Sequence, residues 1–303
     1  MKTSIDNFLF KSHSIFIDRK FIINFIAIFC IVNILFIAPD MYSIFSSNGF
    51  VQKEINNSFI LSYQPILSWI SNPLMSIGIP ENRIILGVFL IYIFSLILII
   101  RRVKPLFFSV MSWFIHLMLI NSSYLFSYGA DYFISFTLFI NIFINFSLII
   151  DKETGDLLHS FIMRFIQIQL CIVYFFAGFG KILGIDWLDG NAIWYVLNFF
   201  GSNTTDILLS YVDYPIVFKI LSWGVLIELV YPFLIFIPKV RKWIFVMIIL
   251  IHLSIAIFMK FYTFGLIMIL LNIIGFGHYF KLDNILNITI SLFKNKYARL
   301  VNE

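Results

Sequence analysis

Five side chains between 164 and 181 could do chemistry together, and a glycine shares their spacing. Arg164, Gln167, Cys171, Tyr174, Gly178 and Lys181 follow one another at intervals of three and four. At about 100° per residue they share roughly one third of a helix surface. A polar stripe on one side of an apolar helix turns toward other helices or toward water. The segment CIVYFFAGFGKILGIDWLDG (171–190) runs from apolar residues through a small-residue patch to a lone Lys181, then to a polar turn holding Asp186 and Trp187. A lysine on so hydrophobic a segment is costly unless it sits near the lipid–water boundary or faces a protein-lined cavity. Partial desolvation there favours a neutral amine, which can serve as a general base or nucleophile. The neighbouring acids Asp186 and Asp189 favour the charged form, and the sequence leaves that balance open. A plainer reading stands beside it: Arg164 and Lys181 snorkel at opposite ends while Gln167 bridges helices.

Two further groups lie inside apolar runs. Glu228, in LSWGVLIELVYP, is the carboxylate placed deepest in an expected helix, with Gly224 one turn earlier leaving space on its face. An intramembrane carboxylate is a functional candidate by default, although a structural hydrogen bond explains it nearly as well. His252 sits mid-helix in LIHLSIAIFMK, and His116 in SWFIHLML. A solitary histidine of this kind more often bridges helices than binds a ligand, and neither HExxH nor paired-histidine spacing points to a metal. The two cysteines, Cys30 and Cys171, both fall inside apolar segments and give no disulfide framework or CxxC site.

The elements that position these groups follow from composition. With 61% hydrophobic and 12% charged residues and a mean hydropathy of +0.96, the chain lies far from the soluble average. Its 303 residues hold several apolar runs of about 17 to 25 residues, each able to cross a hydrocarbon core roughly 30 Å thick. The runs are apolar on every face, which excludes the alternating segments of a β-barrel. An all-α, polytopic transmembrane bundle of about eight spans follows, with helices expected near 21–38, 84–100, 105–121, 132–150, 161–182, 215–237, 243–259 and 263–280. Sixteen of the 21 Lys and Arg fall on one side of that arrangement, so the positive-inside rule places both termini in the cytoplasm. The net charge of +5 is this flank signature rather than a nucleic-acid footprint. No cleavable leader closes the first run. The bundle accounts for 1–280, and 281–303 reads as a cytoplasmic amphipathic tail on the inner membrane surface. Two outer segments, 39–83 and 183–214, are long. The first opens with turn chemistry at Ala38-Pro39-Asp40 and holds an interfacial piece, 59–79, broken by Pro65 and Pro73. The second is acidic and rich in aromatics. Function is therefore expected to face outward.

The run YFFAGFGKILGIDWLDGNAIWY (174–195) resembles the signature of the HTTM superfamily, the transmembrane domain of vitamin K-dependent γ-glutamyl carboxylases and their bacterial relatives. NSSYLFSYGADYF (121–133), Arg164 with Gln167, LSWGVLIELVYP (221–232) and IHLSIAIFMKFYTFGLIM (251–268) agree in order, and the likeness spans about 20–280. It implies that Lys181 acts as the base on a reduced quinone of the vitamin K type, and it aligns His252 with a family histidine. The short length and the GAD turn at Asp131 are more similar to the bacterial SdpB (sporulation-delaying protein B) branch. That branch implies a bacterial cytoplasmic membrane protein that matures or exports a secreted antimicrobial peptide. The candidate catalytic groups are thus Lys181, Glu228 and His252. The candidate substrate contacts are Arg164, Gln167, Tyr174, Asp131, Asp186 and Trp187. Three functions are carried forward: peptide-toxin maturation, a quinol-coupled carboxylase-like enzyme, and a transporter or toxin-immunity protein. The partners expected are the lipid bilayer and a small secreted peptide or its precursor, with no nucleic acid.

Overall fold

The computed structural model describes residues 17–199, 210–211 and 216–280, and the proposed tail at 281–303 lies outside them. The described residues form helices and no strand. Seven helices are long and apolar enough to cross a membrane: Arg19–Phe45, Glu81–Ile100, Pro105–Ser122, Gly129–Phe146, Lys152–Ile182, Pro238–Phe258 and Tyr262–Phe280. This is a multi-pass helical membrane protein. The chain divides into two compact units, and the division falls between Ile162 and Met163, inside one continuous helix.

The first unit begins with α1 (Arg19–Ile37), which continues through a 3-10 turn at Ala38–Asp40 into α2 (Met41–Phe45). The turn expected at Pro39 is therefore only a tightening of the helix. Pro39 falls at the start of the 3-10 turn, where a missing N–H costs little. Two short helices follow, α3 (Lys53–Ser58) ahead of the expected interfacial piece and α4 (Ser68–Ser76) within it. Asn121 Nδ2 donates to Pro65 O at 2.9 Å, and Leu67 N donates to Ser122 Oγ at 2.6 Å, so this segment is tied to the end of a long helix. α5 (Glu81–Ile100), α6 (Pro105–Ser122) and α7 (Gly129–Phe146) pack in sequence, and α1 packs on α5 and α7. Pro105 opens α6 at its first position, a site that suits proline.

α8 (Lys152–Ile182) starts nine residues before the expected 161. Hydropathy marks only the part of a helix that is apolar, and the extra turns, KETGDLLHS, are polar. Asp151 starts them by accepting Thr154 N at 2.9 Å. Arg19 reaches Asp156 as an ion pair and donates to Ser147 O at 3.0 Å, fixing this end of α8 within the first unit.

In the second unit α8 is followed by α9 (Ile185–Asp189), α10 (Asn191–Phe199), α11 (Ile216–Ser222), α12 (Gly224–Leu234), α13 (Pro238–Phe258) and α14 (Tyr262–Phe276), ending in a 3-10 turn at Gly277–Phe280. The helix expected at 215–237 is the largest departure from the sequence reading. It is two helices separated by Trp223, neither long enough to span alone. At the junction Trp223 N is shared between the carbonyls of Lys219 and Ile220, each at 3.2 Å, and Leu226 N donates to Trp223 O at 2.9 Å, so the chain tightens toward 3-10 geometry there. Two glycines set the close approaches. A Cβ at Gly178 would lie 2.7 Å from Leu229 N, so α8 and α12 meet backbone to backbone there. Gly190, at φ +88°, turns the chain between α9 and α10, and a Cβ there would lie 2.7 Å from Lys219 N.

Candidate functional site

The Gly178 contact brings two charged side chains together. One turn beyond it on α8, Lys181 Nζ donates to Glu228 Oε2 at 2.6 Å. Glu228 lies one residue before Leu229 on α12. The carboxylate side chain is only 5% exposed and the lysine 28%. The Trp187 ring stands 5.1 Å from Nζ and shields the cation with its π face.

Both charges line a cavity of about 380 Å³. Its other walls are apolar: Leu197 from α10, Phe218 and Leu221 from α11, Val225 from α12, and Ile251 and Ile255 from α13. Ser254 adds the one hydroxyl of the lining. A cavity of this size holds an apolar body of a few rings or a short chain. Among the described residues its charged groups are confined to one place, where a hydroxyl could meet a carboxylate and an ammonium together.

A second polar group lies on the same side of α8, two turns back. Tyr174 Oη is 2.8 Å from His252 Nε2 and accepts from Asn272 Nδ2 at 2.6 Å. Tyr231 Oη donates to Asn272 Oδ1 at 2.8 Å. The Tyr174 and Tyr231 rings pack with centroids 4.4 Å apart. These four residues come from α8, α12, α13 and α14, and each is buried. His252 does not line the cavity.

The remaining candidates separate. Arg164 Nη1 donates to Gln167 Oε1 at 2.7 Å, and Gln167 Nε2 donates to Gly275 O at 2.6 Å. Arg164 also reaches Tyr279 Oη at 3.4 Å, and the Arg241 guanidinium stacks 3.6 Å from the Tyr279 ring. Seventeen residues of helix, about 25 Å, divide Arg164 from Lys181, so the expected stripe serves two separate polar centres. Asp186 is exposed and absent from the cavity wall. Asp131 lies in the first unit, where its carboxylate accepts Tyr128 N at 3.0 Å and caps α7. Among the described residues, no group of three or more His, Cys, Asp or Glu is placed to hold a metal ion.

Reasoning from sequence missed Asn272 and Tyr231. Both carried a signal: Asn272 is a lone amide within the apolar run LLNIIGF, and Tyr231 stands one turn after Glu228. The apolar wall had none, because its residues are of the kind every span contains.

No curated protein and no solved structure matches the chain. The family model of the HTTM domain does match, over residues 155–279. That stretch runs from the first turns of α8 to the closing 3-10 turn and takes in the ion pair, the tyrosine–histidine group and most of the cavity wall. The chain is therefore a multi-pass membrane protein that carries an HTTM-domain match across the region holding its candidate site.

Proposed function

We propose that this protein performs acid–base chemistry on a hydrophobic, hydroxyl-bearing molecule held in the Lys181–Glu228 cavity. One observation carries the reading: an amine and a carboxylate 2.6 Å apart on the wall of an otherwise apolar cavity. An internally neutral pair admits an uncharged head group without leaving a lone charge in an apolar setting. The Glu228 carboxylate can take the hydroxyl proton while the Lys181 ammonium stays beside the oxygen and stabilises its negative charge. In the other order, Lys181 first passes a proton to Glu228, and the neutral amine then takes the hydroxyl proton.

The HTTM resemblance favours the second order and points to a reduced quinone of the vitamin K class. The cavity's apolar walls suit the flat body of such a molecule, and the pair suits its hydroxyl. Bound there, a reduced quinone would supply, on oxidation by dioxygen, the strong base that a carboxylase-like reaction needs to take a glutamyl carbon's proton before CO₂ adds. To test this, the purified chain in lipid nanodiscs is given vitamin K hydroquinone, and quinol oxidation and CO₂ incorporation into a glutamyl peptide are followed. Wild-type turnover that Lys181→Met abolishes, in a variant that still shows the wild-type helix content by circular dichroism, supports the reading. A wild type that neither turns over the hydroquinone nor shows Trp187 quenching by it refutes the reading.

A second reading takes its support from the cavity's rim. Tyr195 and Phe199 on α10 are 59% and 83% exposed beside Leu197, which lines the cavity. Such aromatics suit an apolar segment of a secreted peptide, as expected of an SdpB-like maturation factor in a bacterial cytoplasmic membrane. Here the test is genetic. Loss of the peptide's antimicrobial activity on Lys181→Met supports the reading, and undiminished activity after deletion of the whole gene refutes it.

A further inference from the structure

Two walls of the Lys181 cavity run antiparallel and can be read against each other. α12 and α13 are joined by the short link 235–237 and pack together. A Cβ at Gly224 would lie 3.7 Å from Ile251 Cδ1, which sets those two positions side by side. The lining runs from Leu221 to Glu228 along α11 and α12, and from Ile251 to Met259 along α13. Glu228 is one turn past Gly224 toward the link, while every lining residue of α13 after Ile251 lies on the far side of that level. The ion pair therefore sits at one end of the cavity and not in its middle.

Among the described residues that end is closed. One residue further, at Leu229, α12 meets Gly178 of α8 backbone to backbone, and Tyr174, Tyr231 and Asn272 are buried beyond it. Exposure rises the other way: Glu228 and Val225 are buried, whereas Leu221 is 48% exposed. The α13 wall carries one polar side chain, Ser254, whose hydroxyl donates to Ile251 O at 2.7 Å and so turns its polarity back onto its own helix. From Ile251 to Met259 that wall covers eight residues, about 12 Å of helix. We infer that the cavity is a one-ended slot that takes a slender hydrophobic alcohol hydroxyl first, with about 12 Å for the apolar body behind it. An extended chain advances about 1.3 Å per methylene, given C–C bonds near 1.5 Å, so the slot holds a straight body of about nine carbons. Anything longer leaves its excess beyond the rim at Leu221 and Met259. This inference rests on the cavity reading given above and adds to it a direction of entry and a limit of length.

Two measurements test it on the full chain in nanodiscs. In the first, 1-alkanols from butanol to tetradecanol displace 6-bromohexan-1-ol, whose bromine quenches Trp187, with Trp187→Phe as the blank. Each affinity is referred to the free aqueous alcohol. It should rise about fourfold per methylene up to about nine carbons and level off beyond. Ile255 stands halfway along the α13 wall. In Ile255→Trp, checked for wild-type helix content by circular dichroism, the rise should stop at about five carbons and butanol should keep its affinity within about twofold. An unbroken climb to tetradecanol, or an Ile255→Trp effect equal at every length, overturns the slot and leaves the cavity reading standing. The second measurement locates the tail. The Trp187 ring stands 5.1 Å from Lys181 Nζ, at the closed end. At saturation 4-bromobutan-1-ol should therefore quench Trp187 strongly and 10-bromodecan-1-ol weakly. Equal or reversed quenching overturns hydroxyl-first entry without touching the cavity reading. Failure of every alcohol, the brominated ones included, to bind the wild type removes the cavity reading and this inference together.

Discussion

Lys181 and Glu228 are not equivalent partners, and a double-mutant cycle should expose the difference. At 2.6 Å and an effective dielectric constant of about 20, their gross attraction is about 6 kcal/mol, most of it offset by the desolvation of both ions. Removing one partner leaves the other uncompensated, so the cost depends on where the survivor sits. Lys181→Met strands a carboxylate that is 5% exposed and should cost about 3–5 kcal/mol. Glu228→Gln strands an ammonium that is 28% exposed, has a long flexible stem and still lies beside Trp187. That ammonium can turn toward water, and the loss should be about 1–2 kcal/mol. The double variant removes both charges and should be more stable than Lys181→Met alone, with a coupling energy of about 1–3 kcal/mol. Reversible denaturation in mixed micelles, read by circular dichroism at several detergent ratios, supplies the four stabilities. Additive losses, or a costlier Glu228→Gln than Lys181→Met, would refute the view that this pair is a mutually compensated charge couple in an apolar wall.

Other expectations come from single contacts. Gly178→Ala should destabilise by about 1–3 kcal/mol, because its methyl meets the Leu229 backbone at 2.7 Å. Gly180→Ala, with nothing within 4 Å of the new methyl, should be neutral or stabilise by up to about 1 kcal/mol; equal effects in the same denaturation assay would contradict the close helix approach. Asn272→Leu should cost about 2–3 kcal/mol by leaving Tyr231 and Tyr174 without their amide, and a neutral outcome would remove the buried chain from consideration. At the start of α8, the Thr154 backbone N–H holds the Asp151 carboxyl below the ordinary carboxylate range, with the Thr154 side chain adding to the effect. A carboxyl lowered by folding contributes stability above its ordinary value, and that contribution fades as pH falls through the lowered one. The hydrogen-exchange protection of Thr154, taken relative to its intrinsic rate at each pH, should accordingly fall on acidification below about pH 4 in the wild type and lack that step in Asp151→Ala.

Much of the bundle could be read from the chain because a membrane permits few solutions. Runs such as IILGVFLIYIFSLILII have no alternative to a helix in lipid, where every backbone group must be satisfied internally. The two ends of the site's ion pair were legible for a related reason: a lysine and a glutamate in apolar surroundings are too expensive to be incidental. Their meeting was not legible, because the two residues are 47 apart in sequence and meet only through the way their helices cross at Gly178. The stripe on α8 was correctly seen as one face, yet its residues are spread over five turns and find different partners, so Arg164 and Gln167 go with Gly275 while Lys181 goes with Glu228. Asp131 looked like a site residue by its place in a motif, whereas its carboxylate satisfies a backbone N–H at a helix start. The break at Trp223 has no proline or glycine before it to announce it, and hydropathy averaged across it gives one continuous helix.

Gly190 does not line the cavity, yet it packs together two segments that do. It is three residues from Trp187 and three from Ile193, and its bare Cα rests against the backbone joining Phe218 to Lys219. Any side chain introduced there acts as a wedge, prying the Trp187 flank away from the Phe218 flank. The spacing of two walls of the cavity is thus set by a position outside its lining.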